Sequence, residues 1–213
     1  MPEIRIELYD PENMSHRHGV HVLFDLQARE ISSQIDAAFP KEDGKKARLV
    51  EGPVTQKVKR EREAAQLIFD RAIRSKQSRK AFAHVAIRMN GKDPEVVGYI
   101  LSHMVLENPI GRHTRALRAR FRQLKGLDEE QFRRAVLSGE HSYVLPSYRG
   151  EGIGGQLFDW HEKEAARRGF KVRASHVGKE NGYAKAFLSK RGYRVIAVRN
   201  GGIRIVAKPL AAV

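Results

Sequence analysis

The run Tyr148-Arg149-Gly150-Glu151-Gly152-Ile153-Gly154-Gly155 constrains this chain more than any other segment. It separates a strand-like stretch, His141 to Leu145, stopped by Pro146, from a stretch running from Gly152 to Arg168 with Leu157, Phe158 and Ala165 on a helical period. A chain that leaves a strand and enters a helix through glycines exposes backbone N–H groups at the helix N-terminus, and the missing side chains let an anion approach them closely. The junction therefore suits a phosphate or pyrophosphate, with Arg149 adding positive charge. Two common phosphate loops do not fit it. No Gly-Lys-Ser/Thr triplet follows, and the positions about 20 residues on, Phe170 to Ala174, hold no acid to bind a ribose.

The flanking segments read as alternating elements. Ile4, Ile6 and Leu8 predict a first strand ending at Asp10-Pro11. From Phe24 through Ala28, Ile31, Ile35 and Ala38 the spacing predicts an amphipathic helix, and Ala64, Ile68 and Ala72 predict a second over Lys57 to Ser75. Ala81 to Met89 and Val96 to Leu106 predict a hairpin around the Asn90-Gly91 turn. Glu107 to Gly139 reads as a helical, basic insertion. Beyond the glycine loop, strand Phe170 to Val177, helix Asn181 to Lys190, strand Tyr193 to Val198 and strand Ile203 to Ala207 complete the pattern.

Residues 1–213 are expected to form one domain with the insertion at 107–139, since the length suits one core better than two. No apolar run is long enough to span a bilayer and the start is unlike a secretion signal, so a cytoplasmic location is expected. With Cys 0, disulfides, thiolate metal sites and cysteine nucleophiles are excluded. The net charge of +15 predicts an anionic partner: a nucleic acid, an acidic protein or a phosphorylated cofactor.

Three motifs, in order, resemble one family. Arg149-x-x-Gly152-x-Gly154, within Val144 to Gly155, is similar to the Gln/Arg-x-x-Gly-x-Gly/Ala signature of GNAT acyltransferases. Asn181-x-x-Ala184-x-x-Phe187 followed by Gly192-Tyr193 resembles the family's next motif, and Val97-Gly98-Tyr99 its earlier strand. The resemblance covers Val96 to Lys208 apart from the insertion. It implies an α/β fold with a central mixed, mostly antiparallel sheet of about seven strands flanked by helices. It also implies an acyl-CoA co-substrate, acetyl-CoA above all, held by Val144, Leu145, Arg149, Gly150, Gly152, Ile153, Gly154, Gly155 and Asn181. The strand before the loop and Phe170 to Val177 would splay apart to admit the pantetheine.

By the same resemblance, an amine attacks the thioester directly, with its carbonyl polarised by a backbone N–H near Val144 or Leu145. Glu140 and His141, where the strand enters the cleft, are the candidate catalytic bases, and His103 and Glu107 are rivals. The two candidates point oppositely if the strand is regular. The position of the family's thiolate-protonating tyrosine holds Leu188. Either the thiolate leaves unprotonated or through water, or Tyr143 or Tyr183 substitutes.

His16, His18 and His21 are read as a loop facing the acceptor rather than a metal site, because no carboxylate or thiolate completes one. Arg112 to Lys125 holds six basic residues and no acid, and on a continuous helix Arg115, Arg118, Arg122 and Lys125 form a stripe beside Leu117, Phe121 and Leu124. That stripe could dock RNA or another polyanion, or be a solvated face. Three readings follow: an N-acyltransferase acting on a protein or small amine, one acting on an amine carried by RNA, and a non-catalytic basic nucleic-acid-binding module on the same fold.

Overall fold

The computed structural model describes residues 3–10, 12–38, 81–90, 93–104, 113–179, 181–199 and 202–211. The expected helix over Lys57 to Ser75, the loop before it and the candidate Glu107 lie outside these residues.

One sheet of seven strands, ordered β1-β2-β3-β4-β5-β7-β6, organises the described residues. The strands are β1 (Ile4–Leu8), β2 (Ala81–Asn90), β3 (Asp93–Met104), β4 (Val136–Val144), β5 (Val172–Val177), β6 (Arg194–Val198) and β7 (Arg204–Pro209). All neighbours pair antiparallel except β4 and β5. The mixed, mostly antiparallel sheet of about seven strands expected from the motifs is the one observed.

Helix α1 (Met14–Ala38) lies on one face of β2, β3 and β4, burying Val20, Leu23 and Phe24 against Val85, Tyr99 and Leu101. Its approach is close because Gly19 has no side chain: a Cβ there would stand 2.5 Å from Val96 Cβ. The other face carries α4 (Ile153–Arg167) and α5 (Gly182–Lys190), whose Ile153, Leu157, Phe158 and Leu188 pack on Val97, Ile100 and Val206.

The described residues of the segment expected as an insertion pack on β4, β5 and β7. Helix α2 (Thr114–Arg120), a 3-10 turn at Arg122–Leu124 and α3 (Glu129–Ala135) bury Leu117, Phe121, Leu124 and Phe132 against Val136, Val172, Ala174 and Ala207. Asp128 opens α3 with a capping box, accepting from Gln131 N at 2.8 Å while the Gln131 side chain accepts from Asp128 N at 3.1 Å.

Three local readings change. Strand β4 begins at Val136 rather than His141. Val136 packs under the insertion and Leu137 beneath Phe82 and Ala165 on the opposite face, an alternation that a helix could not produce. Helix α1 begins at Met14, not Phe24, because Asn13 Oδ1 accepts from Ser15 N at 3.0 Å and caps the first turn. The three histidines therefore ride on a helix rather than a loop. Finally, the basic segment is not one helix. Phe121 is extended (φ −114°, ψ 113°), which buries Phe121 and Leu124 and breaks the register from Arg115 to Lys125.

Candidate functional site

The parallel pairing of β4 with β5 covers only Val136↔Val172 to Gly139↔Ser175, although both strands continue. Beyond that pair β4 stays with β3 and β5 stays with β7. The two central strands therefore diverge and leave the inner edge of β4 open. Ser175 Oγ donates to Gly139 O at 3.0 Å and closes the foot of the gap.

The phase of β4 decides which backbone groups line that gap. The Leu145 N–H donates to Val97 O at 2.9 Å, so it belongs to the β3 ladder. In an antiparallel pair successive residues point their N–H and C=O groups to opposite edges. With Gly98↔Val144 and Ile100↔Ser142 in register, the amides of Val144 and Ser142 face away from β3, into the gap. A register shift between Leu101 and Ser102 leaves Glu140 as the extra residue of a bulge, so β4 is irregular there. His141, opposite Leu101, is half-buried on the α1 face with its ring 6.0 Å from that of Phe24.

At the mouth of the gap stands the glycine loop. Gly150 (φ +92°) and Gly152 (φ +81°) occupy the left-handed region, and a Cβ at Gly152 would meet open space. Gly152 caps α4, and the first intrahelical bond on it is Gln156 N to Gly152 O, so the amides of Ile153, Gly154 and Gly155 open the helix without partners four residues back. Ile153 itself is buried and anchors the turn. Tyr148 pins the loop to the sheet by accepting from Arg88 and donating to Glu95 Oε2. The orphan amides, the helix dipole and the bare glycines together fit a pyrophosphate.

Arg149 is engaged elsewhere. Its Nε donates to Val144 O at 3.0 Å, and its Nη1 and Nη2 donate to the two oxygens of Glu30 at 2.9 and 2.7 Å. Tyr143 Oη also donates to Glu30, at 3.0 Å. The Arg149 guanidinium holds the Glu30 carboxyl below the usual carboxylate range despite partial burial, and the Tyr143 bond adds to this. Burial, then the adjacent carboxylate, pushes the Tyr143 hydroxyl up.

The second cation near the loop is Arg191, at the C-terminus of α5. It pairs with Asp159, lies over the rings of Phe158 and Phe187, and has Nη1 3.7 Å from where a Gly155 Cβ would be. Sequence reasoning missed both Glu30 and Arg191. Arg191 adjoins Gly192-Tyr193 and was findable from that motif; Glu30 carries no local signal.

Asn181 caps α5, its Oδ1 accepting from Ala184 N at 2.9 Å. Leu188 is buried in the core beneath α4. Tyr183, at the first turn of α5, is 76% exposed and stacks on Phe187. His103, opposite Ser138, sits near the end of β3 on the closed side of the bulge. His16 is structural: its Nδ1 accepts from Asp10 N at 3.1 Å and its Nε2 lies 3.5 Å from Glu7. Of the basic stripe, Arg118 turns inward, donating to the carbonyls of Leu127 and Asp128 and covering the Phe132 ring. Among the described residues no helix is long and apolar enough to cross a membrane.

The sequence profile of the Acetyltransferase (GNAT) family matches residues 50–193. No curated protein matches in sequence. Among solved structures, the PaiA N-acetyltransferase of Thermoplasma acidophilum in complex with coenzyme A is similar with a TM-score of 0.60 and 16% identity, over 97% of this chain and 99% of that one. The NatC complex bound to Gag peptide and CoA is similar with a TM-score of 0.58 and 13% identity, over 98% and 99%. Arabidopsis thaliana NAA60 in complex with acetyl-CoA is similar with a TM-score of 0.53 and 13% identity, over 98% and 99%. At these identities the likeness is one of fold.

Proposed function

The chain belongs to the Acetyltransferase (GNAT) family, and from that premise we propose that it moves an acyl group, acetyl above all, from acyl-CoA to a primary amine by direct attack on the thioester. The observation that carries this reading is the divergence of β4 from β5 after Gly139↔Ser175, beside a helix N-terminus with unpartnered amides. The similar structures that hold CoA or acetyl-CoA support the choice of co-substrate. Acyl-CoA supplies the activated thioester; the protein orients it and manages protons.

The amides of Ile153, Gly154 and Gly155, with Arg149, Gly150, Gly152 and Arg191 around them, would hold the pyrophosphate. Val144 N–H and Ser142 N–H, aimed into the gap, would bind the pantetheine and polarise the thioester carbonyl, as fixed dipoles that need no reorganisation. Leu145 lines the site without offering its amide. Glu140 and His141, consecutive at the bulge, would take the acceptor's proton directly or through water. Tyr143 is bonded to Glu30, which leaves exposed Tyr183 as the donor to the departing thiolate. Asn181 would serve by capping the helix that carries Tyr183.

The domain is proposed to span 1–213, with the insertion expected at 107–139 ending before Val136, where β4 begins, and the location to be cytoplasmic. A free amine acceptor is favoured over an RNA-borne one, because Arg118, central to the basic stripe, is spent inside the insertion. Unfolding with and without CoA tests the reading: ligand at 100 times its Kd stabilises by about 2.7 kcal/mol. Absence of any shift would favour the non-catalytic nucleic-acid-binding alternative.

A further inference from the structure

A single guanidinium spans the open edge of β4: Arg149 reaches from the Val144 carbonyl to the Glu30 carboxylate and uses its Nε, Nη1 and Nη2 in doing so. Such a fork-to-carboxylate pair is geometrically strong, yet it sits where two other charges are needed. On one side lies the glycine loop, whose function requires cations for a pyrophosphate. On the other lies α1, which brings Glu30 to Tyr143 on the face of β4 opposite α4. Glu30 is the carboxylate that Arg149 and Tyr143 share there.

We propose that Glu30 is an exchangeable counter-ion: it holds Arg149 in the free protein, and holds the ammonium of the amine acceptor once acyl-CoA has drawn Arg149 to its pyrophosphate. The inference deepens the acyltransferase reading and rests on it. The acceptor class it assigns is an alkylammonium, a cation at neutral pH. The Arg149 guanidinium occupies in advance the place that cation takes, bonded to the same two carboxylate oxygens. Tyr143 donates to Glu30 and keeps the carboxylate oriented while the partner changes. Binding is then ordered. Without CoA the acceptor must displace an intramolecular bidentate pair; with CoA it finds a half-buried, oriented anion beside the open edge of β4. Glu30 is a specificity-determining residue in this scheme, and proton removal stays with Glu140 and His141.

The test measures CoA binding to the wild type and to Glu30→Gln by calorimetry, then binding of 1,4-diaminobutane to each with and without saturating CoA. The glutamine keeps a hydrogen bond but gives up the charge. The variant should bind CoA several-fold more tightly, because Arg149 no longer has a competing carboxylate. CoA should strengthen diamine binding to the wild type at least tenfold, and that gain should vanish in the variant. Arg149→Gln provides an independent arm: with Glu30 already vacant, its diamine binding should no longer depend on CoA. A Glu30→Gln protein that binds CoA no better than wild type, or a wild type whose diamine binding CoA does not improve, overturns the exchange. Failure of both proteins to bind CoA would instead remove the acyltransferase reading beneath it.

Discussion

His84 on β2 and His161 on α4 face each other with their Nδ1 atoms 3.0 Å apart, both rings buried against Phe82. One nitrogen must donate and the other accept, so the accepting ring is neutral. Burial drives His84 down to about 4, with Glu164 opposing and Arg168 adding to the fall. Burial first, then Arg173 and His84, hold His161 well below the ordinary range.

A pH dependence of stability follows. Between about 6.5 and about 4 the unfolded chain binds protons that the folded pair refuses, so stability is full above about 6.5 and falls as pH drops through that window. The loss should be on the order of 3 kcal/mol for His84 alone. Denaturant unfolding at a series of pH values measures it. Replacing both histidines with leucine should flatten the profile, since removing both partners together leaves no orphan. An unchanged profile would mean that other groups control acid stability.

Gly152→Val should impair CoA binding while leaving the protein folded. The residue sits at φ +81° in open space, so valine pays backbone strain of about 1–2 kcal/mol and puts a branched side chain over the orphan amides. Titration of CoA against the folded variant decides the matter. Normal affinity would contradict the phosphate cradle.

The buried ion group around Glu162 gives a contrast between two substitutions. Glu162 accepts from Tyr193 at 2.8 Å and Lys208 at 2.6 Å and lies 3.7 Å from the buried Arg173. Glu162→Ala strands Arg173 and should cost about 3–5 kcal/mol. Tyr193→Phe should cost about 1–3 kcal/mol. Similar small losses in both would mean that Arg173 finds other compensation.

Much of this was legible locally and some of it was not. Alternation and turn residues located the β2–β3 pair and everything from the glycine loop onward, because each of those elements is fixed by neighbours in sequence. Ile153 to Arg167 and Gly182 to Lys190 form helices within one residue of their expected bounds. The start of β4 was hidden because Val136 and Leu137 follow α3 without a turn residue, and a short apolar run fits either period. The break at Phe121 is tertiary: burial of Phe121 and Leu124 overrides local helix preference. In the site, the glycines announced the loop, but the pairing of Glu30 with Arg149 joins residues 119 apart and depends on how α1 lies across the sheet. Likewise, only the register of β4 against β3 reveals that Leu145 N–H is used and Val144 N–H faces the gap.

Charge reversal of the insertion separates free from RNA-borne acceptors. Arg115, Arg122 and Lys125 are exposed, whereas Arg118 ties down Leu127 and Asp128. Changing the three exposed residues to Glu should leave CoA binding and transfer to 1,4-diaminobutane unaltered, and RNA affinity of the wild type should be weak and salt-sensitive. Tight RNA binding by the wild type that the reversed variant loses would favour an acceptor carried on a polyanion.

The most direct measurement follows an isotope-labelled acetyl group from acetyl-CoA in the presence and absence of 1,4-diaminobutane, with released thiol counted in parallel. Direct attack predicts label on the amine nitrogen, one free thiol for each acyl group transferred, and no label on the protein when the amine is left out. Acetyl-CoA that binds yet gives no labelled amine, or label that accumulates on the protein alone, would contradict the account.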